Sequence, residues 1–179
     1  MNIKTILNIL AAMLGLTGVT MLLPALIAWG YNEPDLVGHL KSSAICVLIG
    51  LPVWFFTRKN RSLNNKDGFA IVTLAWLLVA LAGAQPFYLT GAIPNFTDAW
   101  FESMSGFTTR GATTIDPYAS PRCEGVEDCI ASQPYGILFW RSSTQWLGGM
   151  GIIMPVSNTH LRAHETEADL VCRLLLEKK

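Results

Sequence analysis

Phe101–Thr114, FESMSGFTTRGATT, lies between two hydrophobic stretches of a 179-residue chain. The apolar run before it is long enough to cross a bilayer, and another begins about twenty residues after it. A Thr/Gly-rich segment in that position reads as a loop that dips into the membrane and returns. Irregular backbone at that depth is tolerated only where it is buried in protein or lines a watery path. An ion filter has this requirement, because its backbone carbonyls must be freed from helix bonding and turned toward a cation. The stretch therefore points to cation conduction.

The flanking residues suggest a half-length helix. Pro94 and Asn95 break the preceding structure, and Asn95 or Thr97 can cap a new helix by accepting a bond from an orphan amide. Asp98 in the first turn suits the positive end of the helix dipole. Thr97 to Gly106 is ten residues, about 15 Å of helix and half a bilayer. Gly106 is expected to end it, with the partly negative terminus aimed at the bilayer centre. Thr108, Thr109, Arg110 and Gly111 then run extended with carbonyls along the path. Gly111 can turn its carbonyl where a residue with a Cβ cannot. The plainer alternative is an interfacial amphipathic helix, buried along Phe101, Met104 and Phe107, followed by an outer loop.

Composition agrees with a membrane setting. The chain is 51% hydrophobic and 15% charged, with a mean hydropathy of +0.36; a soluble domain carries about a quarter charged residues. Net charge is zero, which gives no reason to expect nucleic acid as a partner. Four spans are predicted: Ile6 to Trp29 with Pro24 near its far end, Leu36 to Thr57, Phe69 to Leu89 ending in a Gln85-Pro86 break, and Tyr135 to at least Pro155. The Lys4-led first run is too long for a signal peptide and is expected to stay as an anchor. Trp29, Trp54, Trp100 and Trp140 fall near span ends, as an aromatic belt would have them, and Trp146 is placed deeper, between helices.

Charge sets the orientation. Arg58, Lys59, Arg61 and Lys66 crowd one loop against Asp67, so that loop and the N-terminus are expected in the cytoplasm. The loop with Glu33 and Asp35 then lies outside, as does the entry to Phe101–Thr114. Asp116, Glu124, Glu127 and Asp128 face only Arg122 in the outer segment, a charge balance that would concentrate cations. An ordinary solvated loop is the alternative. Arg141, within the first turns of the fourth span, is expected to snorkel or to meet these acids.

Together with LFWRSSTQWLGGMGII from Leu138 to Ile153, the FESMSGFTTRGATT motif resembles the Trk/Ktr/HKT family of potassium transporters, in its bacterial TrkH/TrkG type. The likeness covers nearly all of Met1 to Pro155. It implies an all-α membrane protein: two leading transmembrane helices with a basic cytoplasmic loop over residues 1–66, then one helix–pore-loop–helix unit over 67–156. Family members carry four such units around a single pore. The resemblance implies potassium uptake across the inner membrane, with filter carbonyls from Thr108, Thr109, Arg110 and Gly111 holding the ion. Potassium is the transported substrate, and no cofactor is implied. The implied partners are membrane lipid and a cytosolic nucleotide-binding regulatory subunit of the TrkA type; a chain with one pore unit would also need to assemble as a homo-oligomer. A non-conducting membrane regulatory or assembly subunit is the competing reading.

Two features depart from the family pattern. Arg110 stands where a small hydroxyl residue is usual. A guanidinium at membrane depth is costly unless paired, and Glu102 is its expected partner, with Asp116 the alternative, so both are filter-support candidates. Residues 157–179 also change character, with eight of 23 residues charged. That tail reads as a foreign reading frame joined to a truncated gene, with a cytoplasmic amphipathic helix from Glu165 to Lys179 as the alternative.

Other chemistry is sparse. His160 and His164 have i, i+4 spacing but lack the internal glutamate of HExxH and a further ligand. Cys123 and Cys129 share the outer loop, where an oxidising compartment permits a disulfide without the spacing requiring one. Cys46 suits packing. Gly148, Gly149 and Gly151 suit close helix contact, or else a flexible point in the inner helix. No nucleophile–base arrangement, P-loop or dinucleotide fingerprint occurs, so an enzyme is not expected.

Overall fold

The first apolar run folds as two helices, α1 (Ile3–Thr20) and α2 (Leu22–Gly30), parted at Met21. Pro24 marks the place: its ring crowds the carbonyl four residues earlier, that of Thr20, and weakens the turn there, although later helices run on through Pro52 and Pro86. The computed structural model describes residues 3–57, 65–116, 120–123 and 128–151. It continues with α3 (Leu36–Thr57), α4 (Asn65–Leu89), α5 (Phe96–Phe107), a short 3₁₀ turn (Pro121–Cys123) and a final helix, α6, over residues 135–151. All regular structure among the described residues is helical. Ile3–Gly30, Leu36–Thr57 and Gly68–Leu89 are long and apolar enough to cross a membrane. The basic loop lies largely outside the described residues, as do Glu124, Glu127, residues 152–155 and the 157–179 tail with His160 and His164.

Small residues bring the leading helices together. A Cβ on Gly50 would lie 2.7 Å from the Gly15 amide nitrogen and 2.9 Å from the Ala11 carbonyl, and one on Gly18 would lie 2.8 Å from Cys46 Cβ. Backbones of α1 and α3 therefore touch, the close approach that small residues permit in membranes. Polar bonds cross the same seam. Ser43 donates to the Gly18 carbonyl at 2.7 Å, and Asn8 Nδ2 to the Trp54 carbonyl at 2.9 Å. Cys46 is fully buried in this packing, as expected of it.

Three sequence expectations shift here. Helix α4 ends at Leu89, as the predicted span does, but shows no break at Gln85-Pro86, and the Pro86 carbonyl accepts the Thr90 amide at 3.1 Å. Proline removes its own donor and disturbs the preceding turn, yet leaves the turn after it free to form. Trp140 is no belt residue: it is fully buried, and its indole N–H donates to the Gly83 carbonyl at 3.0 Å. Trp146, expected between helices, is 67% exposed instead.

The α2–α3 and α4–α5 turns are held by a clasp between distant parts of the chain. Arg122 forks onto Asp35 at 2.8 and 2.7 Å and also donates to the Thr90 carbonyl at 2.9 Å. Cys123 is joined to Cys129 by a disulfide, with Cα atoms 4.9 Å apart. Glu33 accepts the amides of Tyr135 at 2.7 Å and Gly136 at 3.1 Å, capping α6 from the α2–α3 turn. A carboxylate is favoured there by the unpaired amides and the helix dipole. Asp128 caps a local turn through the amides of Ile130 and Ala131. Glu33, Asp35 and Asp128 thus serve structure. Arg122→Gln would strand the buried Asp35 carboxylate, and should cost about 3 kcal/mol. A thermal midpoint in detergent equal to that of the parent would refute the clasp.

Candidate ion-filter loop

Helix α5 begins where its cap dictates. Asn95, in extended conformation, accepts the Thr97 amide at 3.1 Å, and its own amide group donates to Asp98 at 2.9 Å. The helix covers Phe96–Phe107, one residue more at each end than Thr97–Gly106. Gly106 does not end it. The amides of Thr108, Thr109 and Arg110 fold back onto the carbonyls of Met104, Gly106 and Ser105. Gly106 is instead the place where α5 meets Thr144 of α6, whose hydroxyl would collide with any Cβ there.

Beyond the helix the backbone turns twice through the left-handed region, at Thr109 (φ 57°) and at Gly111 (φ 73°). Among the described residues, the carbonyls of Thr109, Arg110 and Gly111 accept no hydrogen bond. Thr108, Thr109, Arg110 and Gly111 are all exposed. Inside a membrane such carbonyls need water or a cation.

The return limb is pinned to α5. Ser105 donates to the Ala112 carbonyl at 2.6 Å, and the Thr114 hydroxyl donates to the Asp98 carbonyl at 3.2 Å. Glu102, 3% exposed, accepts the Thr114 amide at 2.8 Å through one carboxylate oxygen. Its other oxygen accepts Nε of Arg141, on α6, at 2.7 Å.

The expected Arg110–Glu102 pair is therefore replaced by Arg141–Glu102. Glu102 is buried between the return limb and α6, whereas Arg110 is exposed. Asp116 is exposed and engaged in a contact of its own. Sequence reasoning missed Arg141, Thr144 and Gln145 as neighbours of the loop, and the bonds that Ser105 and Thr114 make within it. One signal was available: a charge within an apolar helix calls for a partner, and Arg141 is such a charge.

Helix α6 backs the whole loop in register. Gly148 abuts the Phe107 carbonyl, Gly149 faces Thr109, and the Gln145 amide nitrogen lies 3.5 Å from where a Gly111 Cβ would be. Close packing is thus the reading of Gly148 that the structure bears out.

With this geometry the sequence profile of the TrkH family, described as a cation transport protein, matches residues 39–158. The chain belongs to the TrkH family. It is 38% identical over 157 residues to the Trk system potassium uptake protein TrkH of Vibrio parahaemolyticus, covering 86% of this chain and 30% of that one. The corresponding TrkH of Escherichia coli K12 is 36% identical over the same shares. The crystal structure of the potassium transporter TrkH from Vibrio parahaemolyticus superposes with a TM-score of 0.71 at 38% identity, over 86% of this chain and 31% of that one. The chain thus spans about 30% of the length of the relatives it matches. The all-helical membrane fold expected from sequence is borne out, and the family is one of transporters, not enzymes.

Proposed function

We propose that α5 and the loop after it form a re-entrant pore loop. Thr108, Thr109, Arg110 and Gly111 line a potassium path with their carbonyls, and Glu102 supports them. The observation carrying this reading is the run of unpaired carbonyls at Thr109, Arg110 and Gly111, held between a half-bilayer helix and α6. Similarity to potassium uptake proteins over 86% of the chain supports potassium as the cation.

On this reading residues 1–66 are leading helices, 67–156 are one pore unit, and 157–179 take no part. A closed ring of carbonyls needs about four such loops, supplied by repeats in one chain or by copies of it. The protein is placed in the inner membrane with its N-terminus cytoplasmic, from the positive charge of the Arg58–Lys66 loop. A cytosolic nucleotide-binding subunit of the TrkA type would gate it.

Expression of the gene in cells stripped of their own potassium uptake tests the reading. Saturable uptake of potassium or rubidium above empty-vector cells is expected. Membrane-inserted protein without any flux would favour a non-conducting assembly subunit.

A further inference from the structure

The buried Glu102 carboxylate touches three elements at once: its own pore helix, the return limb at Thr114, and α6 at Arg141. With 2% of its side chain exposed, it has no water to fall back on. Each oxygen has a separate duty. One orders the return limb three residues past Gly111, and the other receives the guanidinium of Arg141. A carboxylate held at both oxygens has its rotation fixed, so loosening either contact lets the group turn and misaligns the other. Among the described residues Arg141 has no hydrogen bond to the loop backbone, yet it holds the group that does.

We infer that Arg141 is a positioning residue for ion selection: through Glu102 it sets the spacing of the Thr108–Gly111 carbonyls, and so the preference for potassium over sodium. The inference rests on the pore-loop reading above. It assigns to α6 a role in selectivity, since the Glu102 carboxylate joins Arg141 of α6 to the Thr114 amide of the return limb. Arg110, the obvious cation of the motif, has no part in the relay.

The test is a double-mutant cycle on uptake selectivity, with protein in the membrane quantified alongside. Arg141→Met and Glu102→Gln should each lower the potassium-over-sodium ratio by about tenfold, as expected when a charged hydrogen bond that favours one ion's spacing is lost. The double variant should be no worse than either single one, because both changes cut the same relay. Arg122→Gln, which breaks an ion pair remote from the loop, should lower stability and leave the ratio unchanged. Glu102→Gln is nearly isosteric and keeps the test open where Arg141→Met fails to insert. Wild-type ratios in the single variants, multiplicative losses in the double one, or an equal loss in Arg122→Gln would each overturn the inference. No uptake by the parent chain would strike the pore-loop reading itself, and this inference with it.

Discussion

Gly148→Ala is expected to part α5 from α6 and to abolish uptake. The new methyl would overlap the carbonyl carbon and oxygen of Phe107. Those atoms are backbone at the end of a helix, so no rotamer change can make room. Forcing an extra carbon into a packed interior costs about 1–3 kcal/mol, and a backbone neighbour places this case at the upper end. The damage is local to function as well. Phe107 closes α5 and Thr108 opens the loop, so a displaced helix end moves the carbonyls that follow it. Gly149→Ala provides the contrast, since a Cβ there would find Thr109 Cγ2 at an ordinary 3.8 Å. Uptake and thermal midpoints in detergent should separate the neighbouring variants sharply. Equal behaviour would mean that the α5–α6 contact does not govern the loop.

Long apolar runs were legible in the sequence because the bilayer sets their length. Leu36–Thr57 was located to the residue, and α5 to within one residue at each end. Capping chemistry explains the second success, since Asn95 offers its oxygen to the first turn whatever surrounds it. The effect of proline was not legible. The first run parts at Met21, three residues before Pro24, whereas α3 runs through Pro52 and α4 through Pro86. A proline weakens the turn before it, and the packing around that turn decides whether the helix parts there.

The side-chain pairing around the loop was not legible. Eight residues separate Glu102 from Arg110 and thirty-nine separate it from Arg141, and proximity in sequence favoured the wrong guanidinium. Only the packing of α6 against α5, through Gly106 and Gly148, carries Arg141 to the carboxylate. Trp140 is buried for a like reason, where α6 meets α4 and its indole N–H reaches the Gly83 carbonyl. The partners of Glu33 and Asp35 were not legible for a related reason: each meets a donor far away in the chain, at Tyr135 and Arg122.

Gly111→Ala is expected to remove at least nine-tenths of uptake while leaving the helices intact, a tenfold loss equivalent to about 1.4 kcal/mol. The cause is conformational, not steric: a Cβ would meet only the Gln145 amide, at 3.5 Å, but φ is +73°. A side chain in that region costs about 1–2 kcal/mol. Relief comes by rotating the peptide, which takes a carbonyl out of line with its neighbours. The loop has little slack to absorb this, because Thr109 already holds a β-branched side chain at φ 57°. Gly91 gives a matched control. It has the same φ of +73° and open space around it, in the turn between α4 and α5. Both alanine variants should lose similar stability, since the backbone penalty is the same. Only Gly111→Ala should lose transport. Parallel losses of uptake would reduce the effect to general destabilisation and remove Gly111 from the filter.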